Sequence, residues 1–291
     1  MSAKDIAKLS YGCFLQGIRL LFNDDSAKEF DSFLRFRRRL NLKRPRSLAD
    51  KVSYLELHTN PDMRARCTDK YEVRAYLEEK GVGDILTPLV MNPVSRTEDI
   101  SFKGFPSEYV LKATHGCGMN IIHTKESHLD EERERAICRK WLRSSYGKYS
   151  MEPHYQLIPP RIFAEEYLGV LDELIDFKIH CYNGEPSFVL TVSERSTGLY
   201  KLHAFTCDWT PIECVVGPHR GDGSIKRPCS LEKMLDIARV LSEDFEFVRV
   251  DLYELNGQIR FGELTFTPAA CVFPYFSKSF LEAEGRKLSI D

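Results

Sequence analysis

The stretch FVRVDLYELNGQIRFGELTFTP, residues 247–268, decides how this chain is read. Apolar and polar residues alternate on both sides of Asn256–Gly257, which predicts two antiparallel strands, 247–254 and 258–265, joined by a tight turn. Counting back from the turn puts Asp251 nearly opposite residue 262, so Glu263 stands within about one residue of direct registry. Side chains alternate along a strand, so Arg249 shares a face with Asp251. Two carboxylates this close repel unless a cation neutralises them. Hard divalent ions such as Mg²⁺ take oxygen ligands and usually bind substrate phosphates as well. An arginine beside such a pair suits a transferring phosphoryl group or an oxyanion. A surface hairpin with a salt bridge from Arg249 to one carboxylate fits the same residues, and the hairpin alone leaves both readings open.

Upstream, YVLKA (109–113) reads as a buried strand that runs into the glycine loop HGCGMN (115–120) and a second strand at 121–123. A strand–loop–strand order is a hairpin, unlike a phosphate loop that opens a helix. Glycines let backbone N–H groups approach phosphate oxygens, and Lys112 supplies a point charge for them; an ordinary tight turn explains the loop equally well. RIFAEEYL (161–168) is a further strand carrying Glu165 and Glu166, followed by Asp176 and Lys178 on the next. These acids fit either solvated positions or contacts to a ribose hydroxyl or an adenine amino group. More strands are expected at 86–90, 176–182, 187–192 and 200–207, with a second Asn-Gly turn at Asn183–Gly184. Helices are expected at 69–81, 127–145 and 230–243, the last with Ser230 as N-cap. Residues 1–60 read as helical, with Leu9, Cys13, Leu15, Ile18, Leu21 and Phe22 on one stripe. Strands and helices do not alternate strictly, so the class is α+β and not a doubly wound sheet.

Bulk properties narrow the function. The 291 residues are 43% hydrophobic and 29% charged, as in an ordinary globular protein, and the net charge of -2 gives no steering toward nucleic acid. Nine cysteines without a CxxC pair argue for reduced thiols and a cytoplasmic location. The N-terminal stretch carries charges throughout and lacks a small-residue cleavage site, so no signal peptide and no transmembrane segment are expected. The basic run Arg35, Arg37, Arg38, Arg39, Lys43, Arg44 and Arg46 reads as a solvated helix face or as a docking surface for an acidic substrate or a membrane. His203, His219 and the cysteines at 207, 214 and 229 show no ligand spacing. Cys117 reads as a loop filler.

The order of these pieces resembles the ATP-grasp superfamily, and closely its TupA-like branch, which is associated with bacterial surface polysaccharides. The resemblance spans roughly residues 33–268 and rests on FRRRLNLKRPRSLADKVSYLEL, CTDKYEVRAYLEEKG, YVLKATHGCGMNII, RIFAEEYL, DFKIHCYNGEP and the 247–268 hairpin. It implies two α+β subdomains gripping ATP, preceded by basic N-terminal helices: an N-terminal region 1–105, a lid subdomain 106–165 and a C-terminal subdomain 166–291. It further implies that Lys70 and Lys112 hold nucleotide phosphates, with the loop containing His115, Gly116, Gly118 and Asn120 as the lid. Glu165, Glu166 and Leu168 become the hinge against adenine, and Asp176 the ribose acid. Asp251 and Glu263 become Mg²⁺ ligands, and Arg249 and Lys178 the catalytic cations. Most ATP-grasp enzymes carry Asn two residues after the second carboxylate; here Thr265 stands there, as a third ligand whose hydroxyl replaces the amide.

The resemblance implies a ligase that joins a carboxylate to an amine through an acylphosphate, with ATP and Mg²⁺ as cofactors. A uronic acid in a polysaccharide or its precursor fits as the carboxylate, and the basic run is a candidate to hold it. A kinase acting on a hydroxyl and a non-catalytic nucleotide-binding subunit of an assembly complex are the alternatives. A glycosyltransferase finds no support, since no DxD loop is present. The 193–227 stretch, with Arg195, His219, Arg220, Lys226 and Arg227, is a second candidate acceptor surface.

Overall fold

The computed structural model describes residues 3–147, 151–169, 175–194 and 200–290. Two antiparallel sheets dominate. The larger is built from β5 (Asp176–Tyr182), β6 (Glu185–Ser193), β7 (Lys201–Thr206), β8 (Pro211–Ile212), β9 (Phe247–Leu255) and β10 (Gln258–Thr265), in the order β10-β9-β5-β6-β7-β8. The smaller holds β1 (Leu89–Val94), β2 (Tyr109–Ala113), β3 (Asn120–His123) and β4 (Ile162–Glu166), in the order β1-β4-β2-β3. It therefore takes one strand from ahead of residue 106. β1 begins three residues later than the sequence pattern predicts and lies on the sheet edge, where Pro93 and two register shifts are tolerated.

Period-two alternation sorts the large sheet into two faces. Phe177, Ile179, Val248, Val250 and Leu252 bury against α5 (Val73–Glu79) and α7 (Leu231–Ser242), whose Met234, Ala238 and Leu241 complete that core. The opposite face is apolar at one end, where Tyr182, Phe188, Leu190 and Phe247 pack with residues of α3 (Leu48–His58) and α8 (Lys278–Lys287). At its other end it carries Asp176, Lys178, Arg249 and Asp251. In the small sheet Tyr109, Leu111, Ala113, Ile162 and Ala164 form a core with α6 (Glu131–Leu142), leaving Lys112 and Glu165 on the opposite face. The two polar faces bound one cleft.

Both Asn-Gly turns form as expected, with Asn183, Gly184, Asn256 and Gly257 all at positive φ, the requirement of a type I′ hairpin. The helix expected at 69–81 forms only as the shorter α5, and a separate helix, α4 (Asp62–Thr68), precedes it. Asp69 accepts from the N–H groups of Tyr71 and Glu72, and so turns the chain between them. At the N-terminus α1 (Ala3–Leu21) precedes α2 (Asp24–Phe36). The predicted apolar stripe is only partly buried: Leu15 is enclosed, while Leu21 and Phe22 face solvent. Ser230 occupies the N-cap position of α7 without capping it; its hydroxyl donates to Glu254.

Candidate active site

Strand register assembles the floor of the cleft. Asp251 on β9 pairs with Lys178 on β5 and with Glu263 on β10, while Arg249 pairs with His180 and Thr265. A regular hairpin would set residue 262 against Asp251. A bulge at Gly262 inserts one residue and brings Glu263 into direct registry. A Cβ at position 262 would come within 3.0 Å of the Asp251 carbonyl oxygen and of the Tyr253 ring, so glycine is what permits the bulge to close.

The charges on this floor neutralise one another. Arg249 donates twice to Asp251, at 2.6 and 2.7 Å, and Lys178 forms a close ion pair with the same carboxylate while lying 3.2 Å from Asp176. Burial works against the Arg249 charge, but Asp251 and then Glu263 more than offset it, and the guanidinium is held more firmly protonated than usual. Arg249 Nη2 alone reaches Asp251 Oδ2 at 2.7 Å, Thr265 Oγ1 at 3.0 Å and Glu263 Oε1 at 3.3 Å. Three hard oxygens thus converge on one point of positive charge. Asp251 is 1% exposed with both oxygens engaged, whereas the Glu263 side chain is 44% exposed and keeps lone pairs open to the cleft. The donor set fits a hard divalent ion that completes its shell with phosphate oxygens and water. Among the described residues no cluster of three or more His, Cys, Asp or Glu offers a self-sufficient metal cage.

The opposite wall is built differently. Lys70, in the turn between α4 and α5, donates to the carbonyl of Gly116 at 2.5 Å and so ties itself to the glycine loop. Its pKa is pushed down by burial, with Glu263 the foremost opposing influence, so the two walls feel each other across the cleft. Lys112 forms a close ion pair with Glu165, which Arg74 of α5 also binds at 3.1 Å. That leaves the Glu165 carboxylate clamped by two cations.

One cleft of about 780 Å³ is lined by Lys70, Lys112, Gly118, Asn120, Glu165, Asp176, Lys178, Arg249, Asp251, Glu263 and Thr265. Four sequence candidates lie off its lining. His115 is 2% exposed and turned inward, with Nε2 3.1 Å from the Trp141 carbonyl; burial pushes its pKa down and keeps it neutral. Gly116 sits under Met119 and Tyr146, where it takes part through its carbonyl. Glu166 is exposed, with its N–H on the Pro88 carbonyl, and Leu168 stands beyond the end of β4. The cleft also holds residues the sequence did not single out: Arg74, Glu152, Tyr146 and Tyr155, with Val73, Leu86 and Phe261 as apolar wall.

The basic run separates. Arg35 lines the cleft, Arg38 donates to the carbonyls of Pro274 and Phe276, and Arg37 and Arg39 stand over the Phe33 ring. Of the second acceptor candidate, His219 stacks on Tyr200, Arg220 faces Glu213 and Arg227 pairs with Glu232; with Lys226 they lie off the cleft lining. Arg195 lies outside the described residues.

Two α+β units closing a polar cleft between antiparallel sheets define an ATP-grasp protein. The chain belongs to the TupA-like ATP-grasp family, whose model matches residues 50–288. No curated protein matches it. Among solved structures it is similar to the D-alanine–D-alanine ligase of Helicobacter pylori, at 11% identity and a TM-score of 0.50, over 83% of this chain and 69% of that one. It is also similar to the L-amino acid ligase of Bacillus licheniformis, at 13% identity and a TM-score of 0.44, over 84% of this chain and 55% of that one. The D-alanine–D-alanine ligase of Bacillus anthracis complexed with ATP matches at 14% identity and a TM-score of 0.37, over 69% of this chain and 55% of that one. The first of these likenesses, at 11% identity, bears on the fold alone.

Proposed function

We propose that this protein is an ATP-dependent carboxylate–amine ligase working through an acylphosphate. The observation that carries the reading is the meeting of two cationic walls in one cleft: Lys70 and Lys112 on one side, Lys178 and Arg249 with Asp251, Glu263 and Thr265 on the other. Lys70, Lys112 and the Gly118–Asn120 segment hold the triphosphate, and Asp176 receives the ribose. Adenine lies along Val73, Leu86 and Phe261; the Glu165 carboxylate, held by Lys112 and Arg74, orients Lys112 and leaves base contacts to backbone groups. Glu263, Asp251 and Thr265 would hold Mg²⁺, which when bound neutralises the β- and γ-phosphates and polarises the one transferred.

A substrate carboxylate oxygen attacks the γ-phosphorus, forming the C–O–P linkage as the bond to ADP breaks. An amine nitrogen then attacks the activated carbonyl carbon, a C–N bond forms, a proton leaves the nitrogen and inorganic phosphate departs. Phosphoryl transfer asks for positioning and charge neutralisation more than for covalent help. Arg249, locked by two hydrogen bonds to Asp251, is a preorganised donor for the oxyanion of the tetrahedral intermediate. Lys178, buried beside it, steadies the same charge.

A uronic acid of a surface polysaccharide or its precursor is the carboxylate we favour, and the cytoplasm, where ATP and reduced thiols coexist, the location; all nine cysteines are unpaired. No described helix is long and apolar enough to cross a membrane. The test is ADP release from MgATP against uronic acids, each with and without a panel of amines. Dependence on both partners is the expected result. Turnover with a sugar alcohol alone would make the protein a kinase.

A further inference from the structure

The cleft continues past the Arg249 cluster into a region of different character. Glu152 lines it and is 6% exposed; Thr267, next along the row after Glu263 and Thr265, donates to it at 2.5 Å. Among the described residues no lysine, arginine or histidine forms an ion pair with this carboxylate. A buried carboxylate without a cation is unfavourable unless something positive joins it. Every other acid lining the cleft already has its cation: Glu165, Asp176, Asp251 and Glu263 are each within ion-pair distance of a lysine or arginine.

Tyr146 and Tyr155 line the same end, ring against ring at 4.7 Å and 64°. Arg35 lines the same cleft as these rings, and the Tyr146 phenol's pKa is raised by burial and then by Glu152, with Arg35 acting in the opposite direction. The Arg35 guanidinium is 40% exposed, and its one acidic partner among the described residues, Asp31, stands 3.3 Å away while also accepting from Tyr11. Gly147 allows this end to be built, since a Cβ there would meet the Glu152 carbonyl and the Tyr155 side chain at 2.7 Å. A buried anion, aromatic faces and a half-free guanidinium in one pocket match a molecule with a positive and a negative end.

We infer that this end of the cleft seats the amine co-substrate as a zwitterionic amino acid, its ammonium on Glu152 beside the Tyr146 and Tyr155 rings and its carboxylate on Arg35. The inference rests on the ligase reading and names the class of its nucleophile. Glu152 orients the nitrogen toward the Arg249 end of the cleft, and Arg35 rejects amines that lack a carboxylate.

Saturation-transfer NMR on the full chain with MgAMP-PNP, against a pool of the twenty common amino acids and against ethylamine and ethanolamine, tests it. Amino-acid signals without amine signals are expected. Glu152→Gln should weaken amino-acid binding at least tenfold and Arg35→Gln at least fivefold, both leaving the nucleotide titration unchanged. Absence of amino-acid signals, equal binding of the plain amines, or unaltered binding in Arg35→Gln, with thermal melting to show that the variant is folded, would overturn it. Failure of MgAMP-PNP to bind wild-type protein would instead strike the nucleotide reading, because amino-acid binding is read separately.

Discussion

The two walls of the cleft carry similar charges and hold them by opposite means. On the large sheet Lys178, Arg249, Asp251, Glu263 and Thr265 occupy neighbouring rungs of three strands, and each is bonded to another. Their positions follow from strand register, so they are set before any ligand arrives. On the small-sheet side Lys70 hangs from a loop carbonyl and Lys112 from one carboxylate, while Cys117 and Gly118 of the loop are exposed. The difference separates a preorganised wall, where chemistry needs fixed donors, from an adjustable wall that closes over a ligand.

That contrast predicts unequal consequences. Asp251→Asn removes the counter-charge of two buried cations at once. Activity should fall about 10³-fold, and stability by about 2–3 kcal/mol, because Arg249 and Lys178 lose the anion they share and keep only Glu263 and Asp176, at 3.3 and 3.2 Å. Steady-state ADP release and urea unfolding on the same preparation measure both; a stable protein with lost activity would break the picture of a self-neutralised floor. Lys112→Ala should weaken ATP binding about 10- to 100-fold while shifting stability by less than about 1 kcal/mol, since its ion pair is partly solvated. Nucleotide titration and thermal melting separate the two effects. Should Lys112→Ala unfold the protein as readily as Asp251→Asn, the distinction between the walls fails.

Much of the rigid wall was legible because strands write themselves with period two. In FVRVDLY the valines and leucine point to the core and Arg249 and Asp251 to the cleft, and the Asn-Gly turn fixes their partners to within a residue. That last residue depends on a bulge, which Gly262 permits without announcing. The adjustable wall was read less well. Lys70 was expected at a helix start and sits in a turn, because Asp69 caps the chain there instead of letting α4 continue. His115 was expected in the lid loop, yet its ring is buried and turns inward to the Trp141 carbonyl, which also accepts from the Ser144 N–H and hydroxyl. Glu152 and Arg35 were missed or undervalued for another reason. They come from distant segments, and no local periodicity records that α2 and the 151–155 turn meet in one pocket.

The bulge offers a finer test of the rigid wall. Gly262→Ala adds a Cβ that must displace the Asp251 carbonyl or the Tyr253 ring by a few tenths of an ångström. A stability loss of about 1–2 kcal/mol is expected. Activity should fall about tenfold, less than for Asp251→Asn, because Glu263 shifts and no charge is removed. Full activity with unchanged melting would show that register at Glu263 is looser than the floor requires.

The smallest expected effect concerns acid. His180 lies within the rigid wall, fully enclosed, its ring 4.1 Å from Phe188 and ringed further by Phe247, Phe273 and Phe276, with Nδ1 on the Lys178 carbonyl and Arg249 on the paired strand. Burial, followed by the Arg249 charge, holds its pKa well below the ordinary 6.5. The unfolded chain therefore binds a proton at this residue as pH drops through about 6.5, whereas the folded chain does not. Stability contributed by the neutral ring is complete above that value and declines below it, by about 1.4 kcal/mol per pH unit, until the folded pKa is reached. His115 is displaced in the same direction by burial, and its loop is exposed at Cys117 and Gly118, so local opening lets it protonate sooner. Urea midpoints measured from about pH 7.5 to about pH 5.5 should show His180→Phe flattening the acid slope by most of one proton and His115→Asn by less. Equal flattening by the two variants would mean that the glycine loop is held as firmly as the sheet, and the two walls would then differ in composition but not in stiffness.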